Sequence, residues 1–286
     1  MRSIAIPVAD REECAVALEA AFALGTKLGA DIVGYHIRPS KRNIKENNRL
    51  AITAIWSQAD SWPEPEEKIA AKAADYARRL FEKYAEKHGY QLSRKHGSKT
   101  TPHAIWKEKL GTPEKLMSLI GPVNDLMVVS RPNPKGGVKG MMIMTTALLD
   151  SGIPVLILPQ KKTDISCRHI AVAWNRGGQE AQAVHATLPL LQAADKVTFL
   201  TMGVEQKHGP SVQEMANYLK SYGVKAVEMK VSGNGGAALV SGAKKAGADV
   251  LLCGAYTKGR LREMFFGGVT EYLTTKSDFP VIMKHS

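Results

Sequence analysis

Glycines and cations crowd together near the C-terminal end of this sequence, at a spacing that could serve phosphate chemistry. Cys253-Gly254-Ala255-Tyr256-Thr257-Lys258-Gly259-Arg260-Leu261-Arg262 leaves an apolar run, and Phe266-Gly267-Gly268-Val269-Thr270 follows it. Glycines let a backbone approach a ligand closely, and the exposed N–H groups of such a turn can cradle an anion. Lys258, Arg260 and Arg262 could neutralise phosphates there, or form the solvated first turn of a helix. The glycines themselves have a plain alternative, which is helix packing and turns without a ligand. Trp174, at the end of another apolar run, could stack on a base or simply pack on its neighbours.

No catalytic set accompanies this segment. There is no G-x-x-x-x-G-K-[S/T], no G-x-S-x-G elbow and no S-G-G-x-D-S loop. No histidine pairs with an obvious carboxylate and nucleophile. The eight histidines lack H-x-x-x-H and H-E-x-x-H spacing, and Cys14, Cys167 and Cys253 form no C-x-x-C pair. Neither catalytic residues nor a metal site is therefore expected. Three scattered thiols suit a reducing compartment, so the expected location is the cytoplasm. Cys253, inside an apolar run, reads as a small core residue.

The elements that must position the glycines come from a pattern written twice. Ser3-Ile4-Ala5-Ile6-Pro7-Val8-Ala9 resembles His169-Ile170-Ala171-Val172-Ala173-Trp174-Asn175. Ala30-Asp31-Ile32-Val33-Gly34-Tyr35 matches Ala194 to Phe199, Asn124 to Ser130 matches Ala248 to Gly254, and Ser151 to Leu158 matches Ser277 to Lys284. Four matches in one order indicate an internal repeat. Asp31 and Asp195 lie 164 positions apart but Asp125 and Asp249 only 124, so the first copy carries 40 extra residues. They fall between its second and fourth strands.

In the second copy, strands are expected at 169–174, 196–202, 224–231, 249–253 and 280–284. Helices are expected at about 179–192, 210–222, 234–247 and 259–276. Apolar strands alternating with helices predict βαβ crossovers and a doubly wound, mainly parallel sheet. Pro154 and Pro280 each open a last strand, where a missing N–H is tolerated. Both of these strands are apolar beyond the proline, and an apolar edge is a liability. Pairing of the two across the repeat is the expected solution.

Composition agrees with this organisation. A length of 286 residues with 44% hydrophobic and 23% charged residues suits two α/β domains, at 1–160 and 166–286, joined through the polar stretch Pro159 to Asp164. An extra segment at about 38–105 belongs to the first. No apolar run approaches the roughly 20 residues of a membrane span, so no membrane partner is expected. The opening run, broken by Pro7, reads as a strand rather than a signal peptide. A formal charge of +12 attracts phosphate, but the cations are spread along the chain. The densest cluster, Lys41-Arg42 to Lys45, has no interleaved aromatics, and nucleic acid is not an expected partner.

At the glycine segment the sequence resembles the universal stress protein family, in a tandem two-domain form. Nucleotide-binding members carry G-x2-G-x9-G-[S/T] after the fourth strand. Here Gly254 takes the first glycine position and Thr257 the second; nine residues, Lys258 to Phe266, lead to Gly267, and Gly268 stands where Ser or Thr is usual. Val269 and Thr270 continue the pattern. Asn175, after Ala173 and Trp174, occupies the position of the family aspartate that faces the nucleotide. The first copy has lost this frame: Ala9 takes the aspartate position, and Ser130 to Met142 holds Pro132 and Pro134 with no glycine at the strand exit.

The resemblance implies two five-stranded domains of the adenine nucleotide α-hydrolase-like fold, joined as an internal pseudo-dimer. It also implies a stress-responsive binding or regulatory role with at most slow ATP hydrolysis. ATP or AMP would bind the second copy at Ala173, Trp174, Asn175, Gly254, Thr257, Gly267, Gly268, Val269 and Thr270, with magnesium only as the nucleotide's companion. A competing expectation is a ligand-free interaction protein that recruits a partner through Ile55, Trp56 and Trp62, since aromatic anchors dominate many interfaces. A further homodimer is compatible with either.

Overall fold

The computed structural model describes residues 1–38, 67–133, 138–160, 165–203, 209–255 and 268–285. The N-terminal half contributes β1 (Ser3–Pro7), α1 (Glu13–Leu28), β2 (Asp31–Arg38), α2 (Glu67–Lys87), β3 (Gln91–Ser93), β4 (His103–Leu110), α3 (Pro113–Ile120), β5 (Leu126–Ser130), α4 (Val138–Asp150) and β6 (Val155–Leu158). The C-terminal half contributes β7 (His169–Ala173), α5 (Gly178–Ala186), α6 (Leu188–Gln192), β8 (Lys196–Met202), α7 (Val212–Ser221), β9 (Ala226–Val231), α8 (Gly235–Ala246), β10 (Val250–Ala255), α9 (Val269–Glu271) and β11 (Val281–His285). A π-helical turn, Tyr272–Lys276, continues α9.

Among the described residues eleven strands form one sheet, in the order β3-β4-β2-β1-β5-β6-β11-β10-β7-β8-β9. Every pairing is parallel except that of β6 with β11, where Val155, Leu156 and Ile157 face Met283, Ile282 and Val281 antiparallel. The two apolar last strands thus cover each other's edges, and the halves join in a pseudo-dimer-like arrangement. Pro154 and Pro280 precede these strands rather than interrupt them. Their carbonyls accept hydrogen bonds from Met127 and Leu251, each at 3.0 Å. The missing N–H therefore falls just before the ladder begins.

The same aspartate locks both halves. Asp125 accepts from the Arg2 and Ser3 amides, and Asp249 accepts from the Arg168 amide at 2.9 Å. Each ties the entry of a fourth strand to the entry of a first. Helices cover both faces, giving two apolar layers that each run through both halves. One layer holds Phe22, whose ring lies 5.5 Å from Phe81 and 5.1 Å from Tyr90. Gly34 permits this packing, because a methyl group there would stand 2.6 Å from the Phe81 ring. The long helix α2, from the extra segment, rests on β2 for that reason.

Three details differ from the sequence pattern. The N-terminal half adds the three-residue strand β3 outside its five. The helix expected over 179–192 breaks at Thr187, because Pro189 has no N–H to continue the ladder. Of the helix expected over 259–276, only the part after Gly268 falls within the described residues. Helix α7 begins where Ser211 and Glu214 close a capping box, which satisfies two otherwise orphan amides. Among the described residues no helix is long and apolar enough to cross a membrane.

Candidate functional site

In the C-terminal half the strand order β9-β8-β7-β10-β11 reverses direction between β7 and β10. The chain leaves β7 for one side and returns to β10 on the other, so a crevice opens at the carboxyl ends of these two strands. Ligands of open α/β sheets bind in such a position. Ala173, Trp174 and Asn175 exit β7 there, and Gly254 lies near the end of β10.

Side chains on the β7 exit alternate between the faces of the sheet. Ala173 faces the layer shared with α8, and Trp174 faces the other layer. Trp174 is only 3% exposed. Its ring meets Phe199 edge-on at 5.4 Å, and its Nε1 donates to the Pro210 carbonyl at 3.2 Å. Packing on neighbours is the alternative that describes this tryptophan. Asn175 is partly exposed, and its Oδ1 accepts from the Gly177 amide at 2.7 Å. That Asx turn leads into α5, whose N-cap is Gly177. Arg176 fixes the rim from outside, donating from Nε and Nη2 to the Gly209 carbonyl at 3.0 and 2.8 Å.

Gly254 works by having no side chain. A methyl group on it would stand 2.7 Å from the Gln179 carbonyl carbon and 2.8 Å from the Glu180 nitrogen. The first turn of α5 therefore rests directly on the backbone of β10. Gly268 precedes α9 with φ 117° and ψ −172°, a conformation essentially reserved for glycine. A side chain there would strain the backbone. Gly268 is exposed, Val269 is half-buried, and Thr270 is buried beneath them. Thr257 and Gly267 lie outside the described residues, as do Lys258, Arg260, Arg262, Ile55, Trp56 and Trp62.

Sequence reasoning passed over Glu180. It sits in the first turn of α5, beside Asn175 and Gly177, and its Oε2 is buried without a hydrogen-bond partner among the described residues. Burial pushes its carboxyl above the usual carboxylate range, against smaller opposing contributions from its own amide and from Asn175. A Glu in a glycine-flanked helix start looks like an ordinary solvated acid. Its carboxyl folds back over Gly177, at a helix start that the close approach of α5 to Gly254 seats on the sheet. Cys253 points to the opposite layer, and burial pushes its thiol strongly up, leaving it unreactive. A groove lies elsewhere, between α8 and the π turn, lined by Val240, Ser241, Lys244, Tyr272 and Asp278. It lies at the amino ends of β10 and β11, away from the switch point.

Comparison with known proteins agrees with this geometry. Residues 168–285 match the Universal stress protein family. No curated protein sequence matches the chain significantly. A universal stress protein from Archaeoglobus fulgidus DSM 4304 is similar in structure at TM-score 0.71 and 14% identity, over 99% of this chain and 98% of that one. A functionally unknown protein from Pseudomonas aeruginosa PAO1 superposes at TM-score 0.53 and 15% identity, over 100% of this chain and 92% of the other. At such identities these likenesses speak for the fold. Residues 168–285 thus form a domain of the universal stress protein family, and the full length shares the fold of a universal stress protein, its two halves joined along their last strands.

Proposed function

We propose that the C-terminal half binds an adenine nucleotide, ATP or AMP, in the crevice between β7 and β10. The protein then serves in a stress-response-type binding or regulatory role, with little or no hydrolysis. One observation supports the reading above the others: the crevice is bounded by backbone. Gly254 brings a helix start onto the strand exit, and Gly268 turns the chain into α9 in a glycine-only conformation. Bare backbone of this kind offers N–H groups to phosphate oxygens. Asn175 offers a neutral amide at the rim. The preference for adenine rests on the family resemblance of the glycine frame.

Isothermal titration of the full chain with ATP and with AMP tests this. Saturable heat, reduced by substitution of Asn175 or Gly268, is the expected result. Absence of heat at millimolar nucleotide with folded protein would overturn it. Mass spectrometry of small molecules released on denaturing the purified protein gives an independent check, with an adenine nucleotide expected.

A further inference from the structure

Arg131 is the residue after β5, in the N-terminal half, yet among the described residues its side-chain hydrogen bonds go to the C-terminal half. Its Nη2 donates to the Leu273 carbonyl at 2.6 Å and to the Phe279 carbonyl at 3.0 Å, and its Nε donates to the Thr274 carbonyl at 3.1 Å. The residue is 5% exposed. Leu273 and Thr274 are in the π turn that ends the α9 helix. Their carbonyls have no amide ahead to bond, because the chain turns at Ser277 and reaches Pro280. One guanidinium fork thus satisfies three carbonyls at a helix end, where the macrodipole also favours a cation. Burial lowers its pKa only to about 10, with Asp278 opposing, so it stays charged at neutral pH.

Among the described residues the arrangement has no counterpart in the other direction. The repeat offset of 124 between Asp125 and Asp249 carries Arg131 onto Ala255, a buried residue with nothing to donate from its side chain. The antiparallel joint explains the reach: the carboxyl end of β5 and the entry to β11 lie at the same end of the sheet, with only β6 between them. From Thr274, α9 and its π turn lead back six residues to Gly268, about 9 Å away at 1.5 Å per residue. We infer that Arg131 is a positioning residue through which the N-terminal half fixes the helix that carries Gly268, Val269 and Thr270. This rests on the reading of that segment as nucleotide-binding, and it gives the half without a glycine frame a part in the other half's site.

Full-length Arg131→Met and Arg131→Lys test it through two readouts: amide exchange of residues 269–276 without ligand, and affinity for ATP by titration. Lysine keeps the charge but presents its donors from one atom, so it cannot span the three carbonyls as the guanidinium does. Arg131→Met is expected to speed exchange over 269–276 while β11 stays protected, and to weaken ATP binding about tenfold, with Arg131→Lys between it and the native protein. A merely structural arginine would lower the melting temperature and leave affinity unchanged in the folded fraction. Native exchange over 269–276, or native affinity despite faster exchange, overturns the inference. If the native protein itself gives no titration heat, the nucleotide reading fails, and exchange at 269–270 alone then decides whether Arg131 positions the segment. Should Arg131→Met fail to fold, the lysine variant carries the same two decisions.

Discussion

The two halves share a strand order, a switch point and a locking aspartate, but they finish their crevices in opposite ways. In the C-terminal half Asn175, Gly177, Gly178, Gly254 and Gly268 leave backbone at the opening. In the N-terminal half the matching region is filled by side chains. Arg11 pairs with Glu13 at 3.3 Å, and Gly140 lies so close that a methyl group on it would meet the Arg11 guanidinium and stand 2.6 Å from Pro132 Cβ. His36, buried nearby, hydrogen-bonds the Val8 carbonyl through Nδ1 at 2.9 Å. Ser130 stands where the other half has Gly254. One fold can thus be closed by an ion pair or left open by glycines, and the difference needs only a few substitutions at the strand exits.

The largest expected effect comes from removing the feature that separates the halves most sharply. Gly254→Val should drive α5 off β10 and cost about 3 kcal/mol, as overpacking does, read as a lower denaturation midpoint with lost nucleotide titration. Next comes Gly268→Ala, expected to cost about 2 kcal/mol through backbone strain, with weakened ATP binding measured by the same titration. Native stability and affinity in either variant would show that the glycines are incidental, and the two crevices would then be equivalent.

Glu180→Gln should act in the opposite sense. The acid's pKa is raised on folding, so the ionised form costs stability that is regained as pH falls toward its unfolded value near 4.3. The native protein should therefore lose stability, and bind ATP less tightly, as pH rises through the raised pKa. The glutamine variant should flatten both profiles and bind about fivefold more tightly at pH 7, from roughly 1 kcal/mol of relieved repulsion. A native pH profile in the variant would remove Glu180 from the site. The smallest effect is expected for Ser130→Ala. Its hydroxyl is buried without a partner among the described residues, so the change should fall within about 0.5 kcal/mol. A large loss there would mean that the N-terminal crevice uses its serine.

Much of the architecture was legible in advance because burial on both sheet faces leaves continuous apolar runs. Val250 to Cys253 and Val155 to Leu158 could hardly be anything but interior strands. The β6–β11 joint followed from two apolar edges that need covering. Strand β3 was missed because three residues carry no periodicity, and the break at Thr187 was passed over although Pro189 signals it. At the site, Gly254 and Gly268 were visible as glycines, but what each is for was not. The Trp174 alternatives were separated only by the position of Phe199 and Pro210. Glu180 and Arg131 gave no signal at all.

Periodicity and repetition are local properties of the chain, and they determined the duplicated α/β order, while the resemblance to a glycine frame marked the first copy as the odd one. The tertiary structure decided which polar groups are starved of water and what answers them. Arg131 meets carbonyls more than 140 positions away, and Glu180 belongs to a helix start seated on a strand over 70 positions on. Desolvation depends on the whole packed surroundings of a group, and no spacing along the chain encodes that.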